Sequence, residues 1–169
     1  MTFSAAPFSG AAVLLSAQVK IARRTPIFPF PAKETRMTQS IKRSDREWRE
    51  MLTEEEYRVG VKEGTERAFT PGNYNDEKRA GTYYCKGCDS PLWSSEHKFD
   101  SGTGWPSYWQ PITPDAVATK TDFKMILPRT ECHCATCGLH MGHVFKDGPP
   151  PTGERWCING VVLDFRPEA

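Results

Sequence analysis

Two CxxC knuckles constrain this chain more than anything else in it: Cys85-Lys86-Gly87-Cys88 and Cys134-Ala135-Thr136-Cys137. A CxxC turn aims two sulfurs at one point, and Gly87 and Gly138 ease the turning. Two such knuckles supply four thiolates, the donor set of a closed, tetrahedral structural zinc site. An ion held this way ties together parts of the chain that are distant in sequence, and its binding free energy goes into folding. The same spacing also suits two redox dithiols or plain buried thiols, but neither pair lies in the βαβ setting in which a redox CxxC works. Six cysteines are present, so two fall outside the pairs. Cys132 lies beside the second knuckle, and Cys157 stands alone in GERWCINGVVLDF.

At 169 residues the chain is long enough for one domain with its own core. Its 22 basic residues nearly balance 21 acidic ones. That balance offers no electrostatic handle for nucleic acid or a membrane surface as partner, and a monomer is expected. No apolar run approaches the ~20 residues of a membrane span. A zinc-ribbon binding module, the main non-enzymatic alternative, needs a basic stripe that this balance does not supply, and it leaves Cys157 without a purpose.

Residues 1–36 differ from the rest. They contain no acidic residue before Glu34, carry Lys20, Arg23, Arg24 and Lys33, and include Pro26, Pro29 and Pro31. The composition suits a disordered extension or an organelle transit segment. A secretory signal fits poorly, because no basic residue precedes the apolar patch Ala11 to Leu15. Met37 is an alternative start. The expected division is therefore an extension over 1–41 and a folded domain over 42–169, resident in the cytoplasm or, with a transit segment, in an organelle.

The domain opens with two capping boxes, Ser44-Asp45-Arg46-Glu47 and Thr53-Glu54-Glu55-Glu56. Trp48, Met51 and Leu52 follow the first at helical spacing, Tyr57 and Val61 follow the second, and Gly64 is expected to end that helix. The remainder reads as mainly β. Strands are predicted at Gly81 to Tyr84, Ala116 to Lys120, Phe123 to Leu127, Thr130 to Cys134, Arg155 to Asn159 and Val161 to Phe165.

Strand alternation turns Trp156 and Ile158 to one face and Arg155, Cys157 and Asn159 to the other. A thiol between a guanidinium and an amide is placed for thiolate stabilisation and a lowered pKa. The segment LHMGHVFKDGPPPTG adds His140, His143 and Asp147, and so a proton donor near a nucleophile. FDSGTGWPSYWQP puts Trp105, Tyr108 and Trp109 on a Gly-Pro loop, where rings could wall a pocket for a thioalkyl group. Each feature has a plainer reading: a buried core thiol, solvated or core imidazoles, and aromatics that plug a sheet edge. A Cys-His-Asp hydrolase is a rival enzyme, and it would need an oxyanion hole.

The motifs GTERAFTPGNY, GTYYCKGC, FDSGTGWPSY, HMGHVFKDGPPPTG and RWCING, spread from about Arg43 to Phe165, resemble the B-type methionine-R-sulfoxide reductase family. The resemblance implies a mainly β fold of two antiparallel, tent-like sheets with short N-terminal helices. It implies one structural zinc on Cys85, Cys88, Cys134 and Cys137. It further implies that Cys157 attacks the sulfoxide of methionine R-sulfoxide, free or in a protein, and becomes a sulfenic acid. His140 and His143, helped by Asp147, would hold or protonate the sulfoxide oxygen. Trp105 would receive the substrate methyl, and Arg155 and Asn159 would position or tune the thiolate. Many members carry a resolving cysteine where this chain has Thr103, so thioredoxin or a small thiol is the expected reductant of the sulfenic acid. Cys132 is the only spare thiol, and strand parity turns it toward the zinc. It is a weak resolving candidate and reads better as a packing residue. Trp156 and Gly160 replace a Tyr and a Ser that the resemblance leads one to expect.

Overall fold

The structure, a computed structural model, describes residues 1–2, 40–123 and 128–169. The predicted strand Phe123 to Leu127 lies outside them apart from Phe123, which is exposed and outside any strand. Most of the expected extension 1–41 lies outside them too. All elements below belong to the unit Arg36–Ala169.

Both capping boxes form. Helix α1 (Asp45–Met51) is capped by Ser44 with Glu47 reaching back, and α2 (Glu54–Gly60) by Thr53 with Glu56 reaching back. Each box satisfies free amides at a helix start. Trp48 and Leu52 turn inward as the spacing predicts, but Met51 is 48% exposed. Seven-residue helices present only a narrow apolar stripe, and Trp48 with Leu52 fills it. The second helix ends at Gly60, earlier than Gly64. Gly64 instead closes the following turn, its N–H donating to the carbonyls of Arg58 and Val59 at 3.1 Å.

Nine strands follow among the described residues: β1 (Gly81–Cys85), β2 (Pro91–Ser94), β3 (Lys98–Phe99), β4 (Ser107–Tyr108), β5 (Val117–Asp122), β6 (Arg129–Cys134), β7 (His140–Phe145), β8 (Arg155–Ile158) and β9 (Leu163–Pro167). They form two antiparallel sheets, ordered β2-β1-β9 and β3-β4-β8-β7-β6-β5. The predicted last strand starts later than expected, because residues Gly160–Val162 make a 3₁₀ turn first. Strands β2, β3, β4 and β7 have no counterpart in the sequence reading.

The sheets meet over aromatic side chains. Tyr83 of β1 stands edge-on to Tyr108 of β4 at 5.4 Å, and Trp93 of β2 stacks on Tyr108 at 4.9 Å. All three are fully buried, so Tyr108 belongs to this junction and not to a pocket wall. Trp109 lies edge-on to His97, the ring centres 4.5 Å apart. Such pairs add about 0.5–1.5 kcal/mol each beyond their burial.

In the large sheet β7 lies between β6 and β8, with Gly142 opposite both Cys132 and Ile158. A Cβ built on Gly142 would sit 2.0 Å from the Cys157 carbonyl oxygen. Only a glycine lets the two backbones approach this closely. Gly142→Ala should therefore force β7 and β8 apart. We expect a loss of about 1–3 kcal/mol or more, read as a lowered thermal midpoint. An alanine variant that melts with the parent protein would show that the strands tolerate the extra atom.

Candidate active site and metal centre

The four knuckle cysteines converge. Cys85 and Cys88 come from the end of β1 and its following turn, Cys134 and Cys137 from the end of β6 and its turn. The Sγ atoms of Cys85 and Cys137 are 3.5 Å apart, as are those of Cys88 and Cys134. All four sulfurs lie within 4.8 Å of one another. Sulfurs at ~2.3 Å from a central ion, placed tetrahedrally, have edges of about 3.8 Å, so the donor set fits one zinc ion. Trp48 of α1 rests on the first knuckle: a Cβ on Gly87 would meet its ring at 2.8 Å. The N–H of Ile41 donates to the Thr136 carbonyl at 2.7 Å, so the start of the domain is fastened to the second knuckle. Cys132 is not in the cluster; it is fully buried in the hydrophobic core.

A second constellation lies along β7 and β8. Strand β8 pairs with β4 and β7 so that Cys157 stands opposite Ser107 on one side and His143 on the other. Directly paired residues project to the same face, so Ser107, Cys157 and His143 form a row. Beside the row is a cleft of about 150 Å³ whose walls include Trp105, Arg129, His143, Phe145, Cys157 and Asn159. It is mostly apolar with a few polar groups, the usual character of a small-molecule site.

Cys157 is half-buried, and burial pushes its thiol up. The charge of Arg155, with the nearby polar groups of Thr103 and Arg155, opposes that rise without cancelling it. The lowered pKa expected from the sequence is thus corrected: desolvation outweighs the guanidinium. Arg155 is itself fixed. Its Nε and Nη2 donate to both Asp147 oxygens at 2.9 Å, and its guanidinium lies 4.4 Å from the Phe145 ring centre.

Asp147 consequently does not reach the imidazoles. It is largely exposed, and its carboxylate serves Arg155. The acid at His143 is Asp122 at the end of β5, with Oδ2 3.0 Å from His143 Nε2 and 2.9 Å from Arg129 Nη2. Burial pushes His143 below the ordinary imidazole value, while Asp122 pulls it back up. His140 does not line the cleft. It is 2% exposed and lies behind His143, the two rings edge-on at 5.5 Å, with Nδ1 3.0 Å from Glu131 Oε1. Lys120 closes this inner network at 3.2 Å from Glu131 and 2.6 Å from Glu63.

Asn159 lines the cleft, but its amide is engaged. Oδ1 accepts from the Glu66 N–H at 3.0 Å, and Nδ2 donates to the Met141 carbonyl at 3.0 Å. Glu66 is a buried carboxylate that accepts from the N–H groups of Gly160 at 2.7 Å and Val161 at 2.9 Å. Burial raises its pKa and those two amides oppose the rise. The Glu66 carbonyl in turn accepts from the Trp105 indole at 3.2 Å. Asn73 donates to the Gly104 carbonyl at 2.9 Å, and its own carbonyl lies 1.8 Å from where a Cβ on Gly160 would sit. Gly160 is thus the residue that fits here, in the place where a Ser was expected.

Sequence reasoning missed Glu66, Asn73, Asp122, Arg129 and Glu131 as site residues. Glu66 and Asn73 lie inside the quoted stretch GTERAFTPGNY, an acid and an amide among turn residues with no helix or strand to explain them. Asp122 and Glu131 carried no signal short of strand pairing, since each meets its histidine only across the sheet.

Asp122→Asn removes the charge that favours the imidazolium while leaving Arg129 to oppose it. His143 should titrate lower than in the parent, as followed by NMR of its ring protons. A titration that stays in place or moves upward would show that Asp122 does not govern this imidazole.

The SelR domain family matches residues 52–167. A peptide methionine sulfoxide reductase MsrB of Pseudomonas putida is 56% identical over 129 residues, 76% of this chain and 96% of the relative. The MsrB of Agrobacterium fabrum is 51% identical over 127 residues, covering 75% of this chain and 93% of the relative. The chloroplastic peptide methionine sulfoxide reductase B1 of Oryza sativa is 54% identical over 124 residues, which make up 73% of this chain and 57% of that longer protein.

Proposed function

This chain belongs to the SelR-domain family, and on that premise we propose that it reduces methionine R-sulfoxide, free or in a protein, to methionine at Cys157. The observation that carries the reading is the convergence of Cys157, His143 and Trp105 on one small apolar cleft. A sulfoxide needs these three things at once: a nucleophile for sulfur, a proton for oxygen and an apolar seat for the methyl.

In this reading Trp105 receives the methyl, which soft sulfur–ring contacts favour. The Cys157 thiolate attacks the sulfoxide sulfur while His143 supplies a proton to the oxygen, which otherwise leaves poorly. Overall one oxygen atom passes from substrate sulfur to Cys157 sulfur. The substrate is reduced by two electrons to the thioether, and Cys157 is oxidised to the sulfenic acid. Burial keeps Cys157 as a thiol and His143 as a neutral ring at rest. The reactive thiolate–imidazolium pair contains the same number of protons, so one internal transfer generates it.

The other residues hold this arrangement. Arg155, braced by Asp147 and Phe145, favours the thiolate. His140 with Glu131 backs His143. Asn159 acts by fastening the Glu66 segment, and with it Trp105, to β7.

Regeneration needs two external electrons. Thr103 cannot form a disulfide and Cys132 is fully buried, so we assign the reduction to thioredoxin or a small thiol acting directly on the Cys157 sulfenic acid. The catalytic domain is assigned to residues 42–169, acting as a monomer. No helix among the described residues is long and apolar enough to cross a membrane. We place the protein in the cytoplasm, or in an organelle if residues 1–36 act as a transit segment.

With dithiothreitol as reductant, a blocked methionine sulfoxide should be consumed only as the R epimer, and Cys157→Ser should be inactive. Cys132→Ser should keep thioredoxin-dependent turnover. Consumption of the S epimer, or turnover by Cys157→Ser, would contradict the reading.

The Cys85, Cys88, Cys134 and Cys137 cluster is assigned one zinc ion. When bound, it cross-links the ends of β1 and β6. Cys85→Ser should lower the zinc content and the thermal midpoint together, because binding free energy is folding free energy here. Unchanged metal content by elemental analysis would remove the zinc assignment.

A further inference from the structure

The two knuckles are joined by side-chain hydroxyls as well as by their sulfurs. Ser90 Oγ accepts from the Cys88 thiol at 3.2 Å and donates to Thr136 Oγ1 at 3.1 Å. Thr136 lies between Cys134 and Cys137, so this path crosses from one knuckle to the other. Cys88, Ser90 and Thr136 are all half-buried. Each hydroxyl is set in place by its own backbone. The Ser90 carbonyl accepts from the Cys85 N–H at 2.8 Å, which closes the first knuckle on itself. The Thr136 carbonyl accepts from the Ile41 N–H at 2.7 Å, and the Gly138 N–H closes the second knuckle on the Cys134 carbonyl at 2.9 Å. Neither Ser90 nor Thr136 belongs to the four-sulfur cluster, and the CxxC spacing calls for a hydroxyl at neither position.

A serine hydroxyl owns one hydrogen and can accept as well. With the hydrogen on Cys88, Ser90 accepts from sulfur and spends its own hydrogen on Thr136. The bond from sulfur is then a weak S–H donation. A sulfur bound to zinc is a thiolate, which has no hydrogen and can only accept. Ser90 serves it by turning its hydrogen from Thr136 to Cys88, and Thr136 keeps the path continuous by turning its own hydrogen to Ser90. Both hydroxyls rotate and neither loses its hydrogen; the Cys88 proton is the one that metal binding releases in any case. A hydroxyl donating to an anionic sulfur makes a charge-assisted bond, roughly twice as strong as a neutral one. The path is therefore stronger with the metal bound than without it, and that difference is what adds to affinity.

We propose that Ser90 is the outer hydrogen-bond donor to the Cys88 thiolate of the zinc site, and that Thr136 supports it from the opposite knuckle. The two hydroxyls tie the knuckles together around the ion. Both are positioning residues, because they act through the Cys88 sulfur. Partners of this kind orient metal ligands and set their basicity, and losing one typically costs about 10–100-fold in metal affinity. The proposal rests on the zinc reading of the cluster and concerns neither Cys157 nor turnover.

The test measures the zinc affinity of the reduced full chain by competition with a chromophoric chelator at fixed pH, with circular dichroism to check folding. Ser90→Ala should weaken binding about tenfold or more. Thr136→Val should weaken it less, because Ser90 still turns to the sulfur unaided, and Thr136→Ser should bind like the parent. The double variant Ser90→Ala with Thr136→Val should bind about as well as Ser90→Ala alone, since Thr136 acts through Ser90. The cobalt-loaded protein supplies a second readout. Its thiolate-to-cobalt charge-transfer absorption should move to longer wavelength in Ser90→Ala, because a sulfur relieved of a hydrogen bond gives up electron density more readily. A zinc affinity of Ser90→Ala equal to the parent's would overturn the proposal, as would an unmoved absorption band. So would losses from Ser90→Ala and Thr136→Val that multiply in the double variant, which is what two independent packing defects would give. A parent chain that binds neither zinc nor cobalt would remove the zinc assignment itself, so the two failures are distinguishable.

Discussion

The pairing of β8 with β7 on one side and β4 on the other is the interaction from which the site follows. It sets Ser107, Cys157 and His143 in one row, so the Cys157 thiol has an imidazole on one flank and a hydroxyl on the other. The row exists only because Gly142 lets β7 come within reach of the Cys157 carbonyl. Neither chemistry nor metal binding requires a glycine there; backbone proximity does. The four-cysteine cluster lies at the ends of β1 and β6, an inner strand of each sheet. An ion held there would fasten the two sheets together and add cohesion to short strands and seven-residue helices.

Around the row, polar groups are arranged in pairs whose members come from different elements. Asp122 reaches His143 from β5, Glu131 reaches His140 from β6, and Asp147 reaches Arg155 from the loop after β7. Glu66 and Asn159 bond each other's neighbourhoods across more than half of the domain. A buried polar group left unpaired costs about 1–3 kcal/mol, so each of these pairs also restricts where the backbone can go. The result is a cleft whose reactive residues have few alternative positions. Burial shifts Cys157 and His143 toward their neutral forms. In the proposed reaction their charged pair forms inside a partly desolvated cleft, where charges attract more strongly than in water.

Much of this was legible in the sequence because it rests on local patterns. Capping boxes at Ser44 and Thr53 announced both helices, and the CxxC spacing announced the four-sulfur cluster. Strand alternation correctly put Cys157 and Arg155 on one face. Asn159 was placed on that face as well, but its amide proves to be spent on backbone groups of Glu66 and Met141. The Asp147 assignment followed proximity in sequence to His143, whereas the observed partner comes from across the sheet. β7 was overlooked because Gly142 and two histidines, His140 and His143, hide the apolar alternation of HMGHVF. Short strands such as β3 and β4 have only two residues each, too few to show a period. The pKa of Cys157 was misjudged for a related reason: the charge of Arg155 can be read from a sequence, whereas desolvation by neighbouring strands cannot.

The central claim is that Cys157 takes the oxygen from a sulfoxide and keeps it until an external thiol removes it. A single-turnover experiment tests this most directly. The reduced, metal-loaded protein is mixed with excess methionine R-sulfoxide and no reductant, and then trapped with dimedone. The account predicts one methionine released per chain and a dimedone adduct on Cys157 alone. Methionine release without an adduct at Cys157, or an adduct on one of the other five cysteines, would contradict it.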